Sequence, residues 1–256
     1  MTLRPLAALL LGAGLVTGCG SAAPAASVEP SAVPTIEATS TPTATATPTA
    51  PPTPAVTIPT LTLEDQDLEA GTYRLNSIVR PEFPPILFTV PDGWSAGGSF
   101  LFGAGDTAVG FWNVSQLYGH PCQWGGTLSD PGPTVDDMVQ ALVDVPLRDA
   151  SEPIDVTLDG YAGKYVEWSV PTDIEWNEQD GFVDCDADGG EHYFESWTGS
   201  GMGSDRYHQG PGQVDRLWIL DVDGSRLVIN ATDMPLTTSA DRQELLEVVE
   251  SIRFEG

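Results

Sequence analysis

The sequence predicts an α+β domain, an antiparallel sheet packed by two helices, and three observations carry that reading. Two apolar arms, "RLWILDV" and "SRLVINA", flank Asp223-Gly224, a strong short-range hairpin signal. Two other segments, "PTVDDMVQALVDVP" and "TSADRQELLEVVESIRFE", switch from extended patterning to helical spacing. Further extended runs are parted by proline and Asp-Gly pairs, giving the order strands, helix, hairpin, long insert, hairpin, helix.

The chain opens with "MTLRPLAALLLGAGLVTGCG", one basic residue at Arg4 and then an apolar run from Leu6 to Val16, too short for a stable membrane-spanning helix. Residues 1–18 therefore read as a secretory signal. Small residues directly before Cys19 resemble the bacterial lipobox, which implies cleavage before Cys19 and lipidation of its thiol. The expected location is the extracytoplasmic face of a bacterial cell membrane, lipid-anchored.

Residues 19–60 carry that cysteine and a linker built from Ala, Pro, Thr and Ser, with almost nothing large and apolar to bury. Its prolines bias it towards polyproline II, a reach of up to about 120 Å at ~3.1 Å per residue. The reading is a tether for one domain over residues 61–256, long enough to bury a real core.

Within that domain, Thr72 to Leu75 and Ile86 to Val90 are extended runs, Asp92-Gly93 is a turn, and "TAVGFWNVSQLY" is a further strand. Val135, Met138, Val139 and Leu142 fall on one helical stripe. Thr134 is the expected N-cap with Asp137 three positions on, and Pro146 stops the helix. Strands "PIDVTLDG" and "YAGKYVEWSVP" flank Asp159-Gly160. Trp218, Leu220 and Val222 alternate with Leu217 and Ile219, so the last hairpin should be central and covered on both faces. The final helix carries Leu245, Val248, Val249 and Ile252 on one stripe, before a short strand at Arg253 to Glu255.

The run "FTVPDGW", the mid-chain helix, "DGYAGKYVEW" and the closing hairpin and helix ending "VVESIRF" resemble the PsbP-like fold and envelope lipoproteins of the LpqN type. That resemblance spans most of residues 72 to 256 and implies a binding or accessory role rather than a reaction. The stretch from about Pro171 to Gly212 is longer and more polar than such a connection needs.

Formal charge is -27, which argues against nucleic acid and against direct adhesion to anionic lipid. With Cys19 committed to lipid, Cys122 and Cys185 remain, and outside the cytoplasm such a pair is expected to form a disulfide.

The insert contains "DCDADGGEHYFE", which meets a calcium-loop template through Asp184, Asp186, Asp188, Gly189 and Glu195. Its flanks offer no framing helices, its eighth position is Glu191 instead of an aliphatic residue, and Cys185 already has a structural task. A non-helical calcium loop and a solvated acidic turn held by the disulfide both fit, and the second fits better. The expected bond would gather Tyr118, His120, Trp124, Trp176, His192 and Trp197. Such a group suits either a sugar or small organic ligand, or a satellite core over the disulfide. His120, Cys122, Cys185 and His192 would make a transition-metal site only with reduced thiols, which the compartment disfavours.

There is no G-x-S-x-G elbow, no H-E-x-x-H and no phosphate-binding glycine loop, and the histidines are three: His120, His192 and His208. The sequence thus points to a non-catalytic binding or accessory domain with no required cofactor. Its partner would be a small molecule or an envelope protein. The alternative is an extracytoplasmic hydrolase or calcium-dependent protein using the acidic insert at 176–197.

Overall fold

A computed structural model describes residues 57–62, 64–76, 83–200 and 205–256, all within one unit. The signal, Cys19 and most of the linker lie outside the described residues. Strands β1 (Gln66–Leu68), β2 (Gly71–Leu75), β3 (Ile86–Val90), β4 (Trp94–Gly97), β5 (Phe100–Gly103) and the long β6 (Thr107–Tyr118) come first. Then follow β7 (Leu128–Ser129), helix α1 (Val135–Val143), β8 (Asp149–Ala150), β9 (Ile154–Leu158) and β10 (Tyr161–Ser169). The insert supplies β11 (Ala187–Asp188), β12 (Glu191–His192), β13 (Glu195–Ser200) and β14 (Asp205–Tyr207). The chain closes with β15 (Val214–Val222), β16 (Ser225–Asp233), α2 (Ser239–Glu250) and β17 (Arg253–Phe254).

Alternation places β15 and β16 at the centre. Leu217, Ile219 and Val228 point to one core with Met138, Val139 and Leu142 of α1, while Leu220, Val222, Leu227 and Ile229 point to another with Leu245, Val248 and Val249 of α2. The hairpin turns where expected, because Asp223 at φ 52 and Gly224 at φ 82 both adopt the left-handed conformation of a type I′ turn. Asp159 and Gly160, at φ 46 and 90, repeat it between β9 and β10.

Helix α1 starts where the cap predicts. The Thr134 hydroxyl accepts from the Asp137 N–H, and the Asp137 carboxylate accepts from the Thr134 N–H.

The expected class, an α+β sheet packed by two helices, is overturned. Of the described residues 46% are strand and 11% helix. One antiparallel sheet of twelve strands runs β1-β4-β5-β6-β16-β15-β10-β8, with β13 and β7 added along β6, β14 on β13, and β9 on β10. Much of what covers this sheet is itself β: the separate sheet β17-β3-β2 shares the α2-side core through Phe88 and Val90. The difference has a physical source. Helices of nine and twelve residues are lids over a sheet whose extra strands pair with distant partners instead of announcing themselves locally.

Among the described residues no helix is long and apolar enough to cross a membrane. Leu142, fully buried between α1 and the sheet, tests the packing assignment. Leu142→Ala should lower unfolding free energy by about 2–5 kcal/mol, read from the midpoint of urea denaturation.

Candidate functional site

The site begins with a covalent constraint. Cys122 and Cys185 are bonded, and their loops are stitched together around the bond. The Asp186 N–H donates to the Cys122 carbonyl at 2.8 Å, the Glu195 N–H to the Pro121 carbonyl at 2.8 Å, and the Trp124 indole to the Tyr193 carbonyl at 3.1 Å. Phe182, Phe194 and Val170 complete a small core beside the disulfide.

This arrangement leaves a pocket of about 320 Å³ lined by Tyr118, Trp124, Asp188, Tyr193, Glu195, Asp205 and Tyr207. Two edge-to-face aromatic pairs line it, Tyr118 with Trp124 at 6.1 Å and Tyr193 with Tyr207 at 5.1 Å between ring centroids. Glu195 is 6% exposed, and its Oε2 is buried without a hydrogen-bond partner. Burial first, then the charge of Asp205, pushes the Glu195 carboxyl up to about 7, against the opposing pull of Arg206. Burial also raises Asp205, while the Tyr118 hydroxyl, which donates to it, draws it down. Tyr118 itself is pushed up to about 12 by burial and by Asp205 and Glu195.

A larger, mostly apolar pocket of about 600 Å³ includes Phe100, Phe102, Trp112 and Met234 and adjoins the first through Asp205 and Tyr207. Its charged residues, Asp106, Asp205 and Arg206, include a cation, whereas those of the smaller pocket are all acids.

The sequence-derived residues are distributed unevenly. Tyr118, Trp124, Asp188 and Glu195 meet in the pocket. Asp184 is exposed, and Asp186 accepts from the Gly125 N–H at 2.9 Å, while Glu195 is drawn away into β13. Among the described residues no group of three His, Cys, Asp or Glu side chains is placed to hold a metal ion. His120 turns inward on its own loop, its Nδ1 accepting from the Gln123 N–H at 2.8 Å. Trp176 lies elsewhere, 37% exposed, and Trp197 is fully buried against Trp168 and Trp112. Both sulfurs of the four-residue His/Cys group are joined to each other, and His192 donates from Nδ1 to the Cys185 carbonyl at 2.5 Å.

Behind the pocket lies a buried polar network that sequence reasoning missed. Asp215 Oδ1 accepts from Arg206 at 3.1 Å, Gln213 at 3.2 Å, Asn230 at 3.1 Å and Thr232 at 2.7 Å. Burial pushes the Asp215 carboxyl up, but the Arg206 and Arg148 charges and the Thr232 hydroxyl outweigh it and hold it well below the usual carboxylate range. Ser196 Oγ lies 2.5 Å from His208 Nε2, and His208 Nδ1 lies 3.3 Å from Asp215 Oδ2.

Those three residues have the connectivity of a nucleophilic triad. Access defeats the catalytic reading. Ser196 is fully buried, and the Arg148 guanidinium, stacked 3.7 Å over Trp168, donates to Ser196 Oγ at 2.7 Å and contacts His208 Nε2, occupying the approach to both. Burial and then Arg148 hold His208 well below its ordinary value, so it is neutral at pH 7.

One signal was available: Asp215 falls in phase with the core residues Leu217 and Ile219, where a charge is costly unless paired. No protein-family model and no curated protein matches the chain.

Asp215→Asn leaves Arg206 and Arg148 without their buried counter-charge. It should cost about 3–5 kcal/mol of unfolding free energy at pH 7. Because the folded carboxyl is depressed, the contribution is present above its unfolded value, near pH 4, and fades as acid titrates the folded group. Chemical denaturation of both proteins from pH 7 to pH 2 should show the gap closing.

Proposed function

We propose that the chain is a lipid-anchored extracytoplasmic lipoprotein whose β-rich domain is a non-catalytic binding module for a small organic ligand. The observation that carries the binding reading is the pocket of about 320 Å³, in which four aromatic side chains stand beside three carboxylates. Rings supply apolar contact and carboxylates supply orientation. The polar groups that resemble a hydrolytic relay are buried under Arg148, which accords with binding rather than turnover.

The anchor reading is supported by the small residues before Cys19 and the Pro/Thr/Ala spacer behind it, and by the resemblance to envelope lipoproteins of the LpqN type. A tether of that kind suits a domain that presents a ligand or a partner near the membrane. Cys19→Ala should move the protein from the detergent-extracted membrane fraction to the soluble fraction of its bacterial host. An unchanged distribution would refute the anchor.

For the pocket, thermal unfolding of the mature chain is followed with separate sets of organic ammonium salts, neutral sugars and dicarboxylates. One set should raise the melting temperature by several degrees at saturating concentration, and Tyr207→Ala, an exposed position, should reduce the rise. A flat response to every set would overturn the binding reading.

A further inference from the structure

The pocket is short of one thing, positive charge. Its lining holds Asp188, Glu195 and Asp205 and no Lys, Arg or His. Arg206, the cation whose charge reaches Glu195, directs four of its five N–H donors elsewhere: its Nε donates to Asn230 Oδ1, one Nη1 hydrogen to the Tyr207 carbonyl, and its Nη2 to Asp215 and Thr232. Glu195 Oε2 is therefore buried, acidic and without a donor, a costly state when ionised.

We infer that the ligand of this pocket is an organic ammonium ion, enclosed by the Tyr118, Trp124, Tyr193 and Tyr207 rings and neutralised by Glu195, an inference that rests on the pocket being the binding site. The aromatic faces decide against a bare metal ion, because a cation over rings gains from their quadrupoles while a hard divalent ion needs six or more oxygens. The carboxylates favour a cation over a neutral sugar, whose hydroxyls could donate to Glu195, Asp188 and Asp205 but would bring no charge to balance them. Tyr193 donates to Glu191 Oε2 at 2.6 Å and Tyr118 donates to Asp205, so two of the four phenol and indole rings carry hydroxyls turned to acids, which leaves their faces more electron-rich.

Binding should be coupled to a proton. The charged and titratable groups facing Glu195 are Asp205, Arg206 and Tyr207 of β14, Asp188 of β11, Tyr118 of β6 and Tyr193 ahead of β13. Burial and the two aspartates keep Glu195 protonated to about pH 7, and an entering ammonium favours the ionised form, so the proton leaves as the ligand arrives.

The experiment is calorimetric titration of the mature, oxidised chain with choline and n-butylamine, with 3,3-dimethyl-1-butanol as the uncharged isostere of choline, and with calcium chloride. It is run at pH 6 and pH 8 in buffers of differing ionisation enthalpy. An ammonium should bind at least about tenfold more tightly than the isostere. Affinity should rise about tenfold from pH 6 to pH 8, with release of up to one proton per ligand around pH 7. Glu195→Gln should lose the preference for charge and the proton release, and Tyr207→Ala should weaken binding roughly three- to tenfold.

If Glu195→Gln does not fold, Tyr207→Ala and the isostere still decide. The inference is overturned if the isostere binds as tightly as choline, if neither ammonium binds, or if calcium binds and displaces the ammonium. Should sugars or dicarboxylates raise the melting temperature in a Tyr207-dependent way while ammonium does not, the ammonium assignment falls and the pocket reading stands. Silence from every set removes both.

Discussion

The Cys122–Cys185 bond is the constraint on which the pocket depends, because without it nothing covalent joins the loop after β6 to the insert. The two cysteines are 63 residues apart, so in the chain-entropy account the bond removes about 4 kcal/mol of freedom from the unfolded chain. Its structural effect is more specific. It presses Pro121 and Cys122 against Asp186 and Glu195, and those backbone bonds set Trp124 against the carbonyl of Tyr193. Two aromatic residues from one side of the bond and two from the other then line a single cavity.

A second constraint fixes where charge is left over. The buried network around Asp215 gathers Arg206, Gln213, Asn230 and Thr232 onto one carboxylate oxygen, and with Asn230, Thr232 and the Tyr207 carbonyl it takes four of the five N–H donors of Arg206. Arg206 and Glu195 lie on neighbouring strands, β14 and β13, yet the arginine serves the interior and the glutamate is left to the cavity. The network holds β13, β14, β15 and β16 in register. The chemistry available to a ligand is what that stabilising arrangement does not consume.

Legibility of the fold in the sequence follows the range of the interactions. The β15–β16 hairpin and the start of α1 are readable because their determinants are local: Asp-Gly at the turn, alternation along the strands, Thr134 and Asp137 at the cap. The insert is not, since β11 and β12 are two residues each and β13 pairs with β6 some eighty residues away. Missing those strands is what made the domain read as a sheet packed by helices.

At the site, cysteine counting reaches the disulfide, and with it the proximity of Tyr118 and Trp124 to the insert. The calcium template does single out Glu195, but a template read along the chain assumes a loop. Residue 195 opens a strand, which turns its carboxylate away from Asp184 and Asp186 and into the cavity with Asp205. Tyr193, Asp205 and Tyr207 carry no sequence signal of their own. Asp205 and Tyr207 belong to the site through the pairing of β13 with β14, and Tyr193 through the bonds of its backbone to Trp124 and Asp186.

The central claim is that Glu195 is a buried acid awaiting a cation, and carbon-13 NMR of its side-chain carboxyl in the oxidised mature chain tests that most directly. The account predicts titration near pH 7 in the free protein and a fall of a unit or more when the cavity is saturated with choline. Titration near 4.5, unmoved by choline, would contradict it.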